Sequence, residues 1–417
     1  HTQLHRLCES GGLEKILNLT DMRIALIGDV FPPLRSSGAV QLRDLCLEFA
    51  RQGHEISMMV ASPELEESFR IENWKGVQVV RLKTPKTKDT NYIRRTIGEL
   101  LMPFFMLWHL RFSKLCNQKW DGIVWYSPTI FLGLLVYMLK KNSNCKSYLI
   151  IRDIFPEWAV DMGLMGRGLP YFFFKGIANF QYSVADVIGI QTPGNRVYFE
   201  NWENNPSKNL EILNNWLAET PTQQCSITVS DTQLAGRKIF VYAGNMGIAQ
   251  GMDILLELAD QLQSRQDIGF LFVGRGSEVQ KLRKETQKRK LENMLFFDEI
   301  DPDEISSLYD QCHVGLISLD SRHKSHNIPG KFLSYMQSGL PVLASVNDGN
   351  DLVSLIELEK IGQVSTNYSA STLKKYAEKL IEDMDRDPHY KVRCNNIYKK
   401  LYSPDAAVQQ IISALIS

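Results

Sequence analysis

The sequence predicts an α/β protein built from two doubly wound parallel sheets, and three observations lead to this prediction. The chain has 417 residues, which at roughly 150 residues per domain allows two or three domains. Hydrophobic residues make up 44% of it, enough for sizeable cores. Apolar strand-like segments alternate with amphipathic helical patterns twice over, the order typical of parallel sheets with helices on both faces.

The first series of elements begins after Met22. Its predicted strands are 23–28, 55–60, 77–82, 121–126, 147–152 and 186–190. A helix is predicted from Ala39 to Gln52, ending before Gly53. Its apolar residues recur at helical spacing: Leu42, Leu45, Cys46 and Phe49. We therefore expect this helix to pack on a sheet.

The second series begins near Gly236. Its predicted strands are 238–243, 268–273, 294–297, 313–318 and 341–344, and helical patterns at 371–384 and 404–416 follow. A polar stretch at 222–235 separates the two series and is typical of a linker. If the sheets face each other across a cleft, their carboxyl edges are where ligands bind in this architecture.

The expected domain organisation follows from these patterns. We predict a leader or added segment over 1–21 with Met22 as the natural start, an N-terminal domain over 22–218, a C-terminal domain over 219–400, and a C-terminal helix over 401–417 that could pack back on the N-terminal domain.

Charge and cysteine usage exclude several classes of protein. Lys and Arg total 47 and so do Asp and Glu, so nothing in the overall charge favours a nucleic-acid partner. The seven cysteines are scattered without a C-x-x-C pair, which argues against a disulfide framework and favours a reducing, cytoplasmic location. The longest apolar runs, 100–110 and 130–139, fall short of the roughly 20 residues that span a bilayer.

Two strand-to-helix loops could bind an anion. The first, 29–38, ends in Ser37 and Gly38, whose backbone N–H groups would lie at a helix N-terminus, although an ordinary serine-capped loop explains this segment better when it is taken alone. The second, 241–251, carries three glycines, Gly244, Gly247 and Gly251, that would let the backbone approach a phosphate. Its spacing matches neither a dinucleotide-binding fingerprint nor a Walker loop.

Two cations are expected beside the second loop. Arg275 lies between two glycines after a strand, where it could pair with a diphosphate or be a surface residue in a turn. Lys331 lies in the first turn of a predicted helix, which the helix dipole disfavours unless an anion is nearby. A solvated lysine that tolerates the penalty is the alternative.

Charged residues also follow the fifth strand of the first series. Arg152, Asp153 and Glu157 come at its carboxyl end, which in an open α/β sheet points at the ligand-binding crevice. They are candidates for substrate contact, or form an ion pair that fixes a loop. Asp301 and Asp303 resemble a metal-binding D-x-D pair, but capping of the following helix explains them better. His323 and His326 lack a third zinc ligand.

A basic, aromatic segment lies between Arg81 and Trp120. It holds nine basic residues and two acidic ones around the apolar run 100–110. Such a segment is typical of an interfacial contact with anionic headgroups. A core helix with a solvated flank is the alternative, because the runs 130–139 and 171–174 indicate that this domain is simply apolar.

Several of these segments together resemble a known family. They are Pro32-Pro33 with Gly38, Arg51-Gln-Gly-His54, Tyr242-Ala-Gly-Asn-Met-Gly247, Phe272-Val-Gly-Arg-Gly276, and Pro329-Gly-Lys331 with Ser338-Gly-Leu-Pro-Val342. The chain from Met22 onward resembles the family 4 retaining glycosyltransferases of GT-B fold, which have two Rossmann-like domains. The resemblance implies that the N-terminal domain, 22–218, binds the acceptor and that the C-terminal domain, 219–400, binds the nucleotide sugar. The segments 152–158 and 326–336 look like those of bacterial L-fucosamine transferases of O-antigen assembly, which are expected to use a UDP-linked N-acetylated deoxysugar.

The resemblance implies a metal-independent, retaining transfer from a UDP-sugar to a lipid-diphosphate-linked saccharide, at the inner face of the bacterial plasma membrane. It implies these nucleotide-sugar-binding residues: Ser37, Gly38, Gly244, Asn245, Gly247, Gln250, His326, Asn327, Gly330 and Ser334. Catalytic or acceptor-positioning roles would fall on Lys331, Arg275, Asp153, Arg152 and Glu157. No cofactor, metal or nucleic acid is expected.

The sequence departs from the family pattern at several of these positions. Asn245 and Gln250 stand in the mid-chain loop where many members carry Arg and Lys, so two diphosphate-binding charges are missing. The family's two glutamates of E-x7-E fall on His326 and Ser334, and a histidine after the fifth strand falls on Arg152. Two alternatives stay open: a UDP-sugar 2-epimerase of GT-B fold and a non-catalytic nucleotide-sugar-binding protein.

Overall fold

The computed structural model describes residues 21–34, 36–87, 91–199, 202, 208–320 and 328–417. The chain forms two compact units, each with its own parallel sheet. The first unit consists of the described residues up to Ile190, residues 202 and 208–211, and Val408–Ser417. The second unit consists of residues 191–199, 212–320 and 328–407. Most of the predicted segment 1–21 lies outside the described residues.

The first unit contains eight strands. They are β1 (Arg23–Gly28), β2 (Glu55–Ala61), β3 (Phe69–Trp74), β4 (Val77–Leu82), β5 (Gly122–Ser127), β6 (Lys146–Ile151), β7 (Val187–Ile190) and β8 (Asn209–Ile212). Its helices are α1 (Ser37–Arg51), α2 (Tyr92–Leu110), α3 (Gly133–Ser143), α4 (Glu157–Asp161) and α5 (Leu169–Val184).

The strand order of this sheet is β3-β4-β2-β1-β5-β6-β7-β8. Pairings from β4 through β7 are parallel, whereas β3 pairs antiparallel with β4. The central strands β1, β5 and β6 are almost wholly buried, as expected for a parallel sheet covered on both faces. The predicted strands 23–28, 55–60 and 121–126 are thereby confirmed within one residue at each end.

The second unit contains a six-stranded parallel sheet in the order β11-β10-β9-β12-β13-β14. Its strands are β9 (Lys238–Ala243), β10 (Ile268–Val273), β11 (Met294–Phe297), β12 (Val314–Ser318), β13 (Val342–Ser345) and β14 (Gly362–Ser365). Its helices are α6 (Asp253–Gln261), α7 (Val279–Lys288), α8 (Ile305–Tyr309), α9 (Gly330–Ser338), α10 (Asp351–Glu359), α11 (Ala370–Arg386) and α12 (Tyr390–Ile397); α13 (Pro404–Ile416) follows and ends in the first unit.

Both units are therefore doubly wound α/β structures, and the predicted fold class is confirmed at this level. Three strands were missed, β3, β8 and β14, each at or next to an edge of its sheet. The last turns of the chain pack in the first unit, where the side chain of Leu415 fills the space beside Gly122.

One buried tyrosine fixes α9 on the second sheet. The hydroxyl of Tyr335 donates to the carbonyl oxygens of Val241 on β9 (3.0 Å) and Leu316 on β12 (3.1 Å). A Cβ atom at Gly315 would lie only 2.5 Å from the Tyr335 ring. Glycine at this position thus lets the ring lie flat on the sheet, which sets the position of the first turn of α9.

Candidate active site

The glycine loop of the second unit follows β9 and lies against the loop that follows β10. The backbone N–H of Gly244 donates to Val273 O (2.9 Å) and that of Met246 to Arg275 O (2.7 Å), so the two loops continue the parallel ladder. A Cβ atom at Gly274 would lie 2.1 Å from Gly244 O, and one at Gly276 would lie 2.3 Å from Met246 O. Gly274 and Gly276 are therefore required for this close approach.

The rest of the loop is held from several sides. The Tyr242 hydroxyl donates to Asn245 O (2.7 Å), and Gln250 Oε1 accepts from Gly247 N (3.0 Å) and from Asn245 Nδ2 (3.2 Å). The hydroxyl of Tyr368 donates to Gly251 O (3.0 Å). A 3-10 turn, Ile248–Gln250, lies within the loop, and α6 begins at Asp253, so the three glycines lie between a strand and a helix as predicted.

Lys331 extends from the first turn of α9 to this loop. Its Nζ lies 3.7 Å from the centroid of the Tyr242 ring and 4.0 Å from the position that a Cβ at Gly244 would occupy. Among the described residues no carboxylate lies within ion-pair distance of this ammonium. Loss of hydration lowers the pKa of Lys331 to about 7. An anion bound beside Gly244 would supply the negative counter-charge that the Lys331 ammonium lacks among the described residues.

The other predicted residues of α9 lie in the same N-terminal part of the helix as Lys331. Gly330 is the exposed first residue of α9 and Ser334 is half-buried one turn later. Pro329 is the N-cap residue, directly before the first turn of α9. The predicted residues His326 and Asn327 lie outside the described residues.

Arg275 has a partner that sequence analysis did not identify. Its Nε lies 3.3 Å from Glu299 Oε2, and both side chains are largely exposed. The guanidinium is thus engaged by a carboxylate at the carboxyl edge of the sheet, next to β10. A pair this exposed contributes little energy and can reorganise when an anion binds.

In the first unit a group of polar side chains lies at the carboxyl ends of β5 and β6. The hydroxyl of Tyr126 on β5 donates to Gln41 Oε1 of α1 (2.6 Å). The buried guanidinium of Arg152, just after β6, interacts with the same hydroxyl. Burial raises the pKa of Tyr126 to about 12, against the opposing effect of Arg152. Burial lowers the pKa of Arg152, and Tyr126 offsets part of that change.

Two carboxylates act on this group. Asp153 is exposed next to Arg152, and Asp29 follows β1; both act electrostatically on the Tyr126 hydroxyl. Glu99 of α2 also lies near: burial raises its pKa, Arg95 opposes the shift, and Asp29 adds to it. Arg152 and Asp153 thus both lie at the carboxyl edge of the first sheet, as predicted.

Glu157, predicted to join them, has a different environment. Its carboxylate pairs with Lys175 of α5 and is nearly buried, so it links α4 to α5. The prediction that Arg152, Asp153 and Glu157 crowd one edge is corrected to this extent. The reason is that Glu157 is the first residue of α4, which turns its side chain toward the neighbouring helix.

The first-unit loop has the capped geometry that sequence analysis offered as its alternative. The Ser36 hydroxyl accepts from Ala39 N (3.3 Å), and α1 begins at Ser37. Gly38 packs near Tyr126, where a Cβ would lie 3.3 Å from the ring. The predicted residues Ser37 and Gly38 thus lie beside the Tyr126–Arg152 group.

Metal ligands and membrane spans were also sought among the described residues. No group of three His, Cys, Asp or Glu side chains there could hold a metal ion. Asp301 accepts a hydrogen bond from Asp303 N and begins the 3-10 turn before α8, so its predicted capping role is confirmed. No helix in the described part of the chain has the length and apolar character needed to cross a bilayer.

Sequence reasoning missed the two aromatic residues that organise these sites. Tyr242 and Tyr126 lie within strands and look like core residues in the sequence, yet each presents its ring or hydroxyl to a cation at the carboxyl end of its strand. The signal that could have found them is a tyrosine one or two residues before the strand ends.

Comparisons with known proteins follow the same division of the chain. Residues 230–399 match the family model described as Glycosyl transferases group 1. The chain is 24% identical over 289 residues to WbjE of Pseudomonas aeruginosa, named as a glycosyltransferase, covering 67% of this chain and 70% of that protein. It is 23% identical over 368 residues to WcaI of Escherichia coli (strain K12), named for glycosyl transfer in colanic acid biosynthesis, covering 83% and 86%.

Solved structures of the GT-B glycosyltransferase fold resemble the whole chain. WaaG, a glycosyltransferase involved in lipopolysaccharide biosynthesis, superposes with a TM-score of 0.56 at 14% identity and covers 93% of this chain and 99% of its own. HepE of Anabaena, solved with UDP and glucose, gives a TM-score of 0.60 at 15% identity and covers 95% and 99%. At these identities the likeness shows the fold.

Proposed function

We propose a specific reaction for this glycosyltransferase, whose residues 230–399 match the family model described as Glycosyl transferases group 1. It transfers a sugar from a UDP-sugar to a lipid-diphosphate-linked saccharide, with retention of the anomeric configuration. The observation that carries the proposal is the arrangement of Lys331 and the Gly244 loop, in which an ammonium without a carboxylate partner among the described residues meets backbone that a diphosphate can approach.

The donor half of the proposal concerns the leaving group. When the bond between the sugar C1 and the phosphate oxygen breaks, both electrons stay with UDP, so negative charge grows on the diphosphate. A lysine held in a partly dehydrated position stabilises that charge more strongly than it stabilises the intact donor. We assign this role to Lys331, with Arg275 as a second cation once it leaves Glu299.

The acceptor half concerns the first unit. We propose that Arg152 and Asp153 position the acceptor hydroxyl or its phosphates, with Tyr126 and Gln41 holding the guanidinium. The hydroxyl attacks C1 from the face that UDP leaves, and its proton passes to the departing phosphate oxygen. No carboxylate nucleophile is then required, consistent with the replacement of the family's two glutamates by His326 and Ser334.

The sugar and the pathway rest on similarity. The segments 152–158 and 326–336 resemble L-fucosamine transferases, so we propose N-acetyl-L-fucosamine as the transferred sugar. WcaI is named for colanic acid biosynthesis and WaaG for lipopolysaccharide biosynthesis, which supports a role in surface polysaccharide assembly. A lipid-linked acceptor would place the enzyme at the inner face of the bacterial plasma membrane, where the basic segment 81–120 can meet anionic headgroups.

We also propose that no metal takes part, because the cations named above can compensate the diphosphate. Transfer should then proceed unchanged in EDTA. Loss of activity with EDTA that manganese restores would contradict this point.

The decisive experiment offers a panel of radiolabelled UDP-sugars to the purified protein with a bacterial membrane extract. Label is expected to reach the lipid fraction from one UDP-sugar only. We expect that donor to be UDP-N-acetyl-L-fucosamine. If a UDP-sugar alone is converted to its epimer without an acceptor, the protein is an epimerase. If label reaches water-soluble products only, the lipid-linked acceptor is wrong.

A further inference from the structure

Helix α2 is apolar on two opposite faces. Its buried face packs through Gly98, Met102, Met106 and Leu110. Its outer face exposes a second stripe at helical spacing: Ile93, Ile97, Leu101, Phe104 and Trp108. A surface helix normally carries polar residues on its outer side, so an apolar outer stripe indicates that something covers it in use.

Helix α5 has the same character, and part of its aromatic run 171–174, which in the sequence indicated only that this domain is apolar, is exposed. Phe172 is 63% exposed and Leu169 at the start of the helix is 88% exposed. The exposed apolar residues of α5 again recur at helical spacing: Leu169, Phe172, Phe173 and Phe180. Three more precede it: Trp158 of α4, and Met162 and Leu164 of the connection between α4 and α5.

The two stripes lie on the same side of the first sheet. The crossovers β4–α2–β5, β5–α3–β6 and β6–α5–β7 all advance in one direction across the sheet, so right-handed connections put α2, α3 and α5 on one face. Helix α3 packs against both others and itself exposes Tyr137 and Met138. We name these exposed residues, together with Tyr92 at the start of α2, the apolar platform.

The platform is most exposed where it borders the candidate acceptor residues. Each of its helices starts at the carboxyl edge of the sheet, because it follows a parallel strand. The most exposed members, Tyr92, Ile93, Leu164 and Leu169, lie at or just before these helix starts. Asp153 lies at the same edge, directly after β6. Apolar surface and acceptor edge are therefore continuous.

The charge around the apolar platform indicates which kind of partner covers it. From 91 to 120 there are five basic residues and one acid, Glu99, which pairs with Arg95. Arg94, Arg111 and Lys114 are exposed around the α2 stripe, and Arg167 is exposed beside α5. A second copy of this chain in an isologous dimer would set these positive charges against themselves. Anionic headgroups complement them, and exposed aromatic rings suit the headgroup level.

We infer that the apolar platform docks on an anionic bilayer, with α5 and the α4–α5 connection inserting beside α2. The inference rests on the proposed lipid-linked acceptor and names the surface that reaches it. Docking through this face lays the helices along the bilayer and brings the edge that carries Arg152 and Asp153 to headgroup depth, where the diphosphate of such an acceptor lies.

The test uses the full chain and vesicles, with neither donor nor acceptor. Wild-type protein should co-sediment with vesicles made of equal parts phosphatidylglycerol and phosphatidylcholine, and much less with phosphatidylcholine alone. The double variant Phe172→Gln/Phe173→Gln should bind at least about tenfold more weakly. The control variant Leu358→Gln changes an even more exposed apolar residue, on α10 of the second unit, and should bind like wild type.

Unchanged melting temperatures would show that the variants are folded. If the α5 double variant binds like wild type while Phe104→Gln/Trp108→Gln abolishes binding, α5 is not part of the contact and the inference fails. It also fails if the wild type ignores both vesicle types, or forms a dimer in sedimentation that the α5 variant dissociates. Because no sugar is transferred in this assay, these results are independent of whether the proposed reaction is correct.

Discussion

Lys331 and Tyr242 form a cation–π contact across two elements of the second unit: the ammonium of the α9 lysine lies 3.7 Å from the ring centroid of the β9 tyrosine. The same tyrosine donates its hydroxyl to Asn245 O in the glycine loop. Tyr242 therefore positions both the Lys331 ammonium and the backbone of the glycine loop. We place the donor diphosphate between these two groups.

Replacing Tyr242 should separate these two roles. Tyr242→Phe keeps the ring and loses the hydrogen bond, so a modest rise in KM for the donor is expected. Tyr242→Leu also loses the cation–π contact, worth about 1–2 kcal/mol at a partly dehydrated site, and should lower kcat/KM roughly tenfold further. Steady-state kinetics with varied donor measures both. Equal effects of the two variants would show that the ring face does not matter.

Removing the ammonium itself should have a larger effect on turnover. Lys331→Gln is expected to lower kcat by about 10²–10³, because the charge that grows on the leaving diphosphate loses its main counter-charge. Lys284→Gln, at an exposed position of α7, is the matched control and should be unchanged. A Lys331→Gln enzyme with the wild-type rate would remove this assignment.

Donor affinity should depend on pH through Lys331. Its pKa of about 7 in the free protein lies below the ordinary lysine value, and a bound diphosphate favours the charged form, so binding takes up a proton. Affinity is then complete below about pH 7 and weakens above it, approaching tenfold per pH unit. Calorimetry with UDP-glucose, whose diphosphate does not titrate in this range, measures it. Lys331→Arg should bind with a flat profile; a sloping one would point to another group.

The contact between the two glycine loops predicts a stability effect. Gly274→Ala puts a Cβ 2.1 Å from Gly244 O at a φ of 144°, so the loops must separate. We expect the free energy of unfolding to fall by about 2–4 kcal/mol and UDP-glucose binding to weaken. Gly166→Ala has no atom within 4 Å of the added methyl group and serves as the control. Denaturant titration decides between them.

The polar group of the first unit should affect the acceptor rather than the donor. Tyr126→Phe removes the hydroxyl that joins Gln41 to Arg152, and Arg152→Met removes the guanidinium. Both should raise KM for the lipid acceptor, Arg152→Met by about tenfold or more, while UDP-glucose affinity stays within twofold. Arg51→Met, at an exposed pair with Glu48, controls for loss of charge. Weakened donor binding in Arg152→Met would reassign the residue.

The sequence predicts the central strands well because a strand buried on both faces leaves a continuous apolar run. β3 (Phe69–Trp74) escapes prediction because it is a half-exposed edge strand with Arg, Glu and Asn among its six residues. β14 escapes because its four residues include Gly362, which is there for a close approach to Val342 O and not for burial.

The candidate sites are predictable only where topology decides. Lys331 and Gly244 both follow from the rule that carboxyl ends of parallel strands share an edge, and the structure brings them together. The ion pair between Arg275 and Glu299 depends on side-chain directions at the ends of two loops, which no spacing reveals. The exposure of Phe172 and Phe173 could not be predicted, because hydrophobic periodicity does not distinguish an apolar face that is buried from one that is exposed.

The first unit draws its final helical turns, from Val408 onward, from the far end of the polypeptide, and Leu415 occupies the space beside Gly122 in β5. The first unit therefore cannot complete its fold until residues that follow the whole second unit in the chain have been synthesised. Loss of only the last ten residues would leave a hole under a central strand of the part of the protein that is synthesised first.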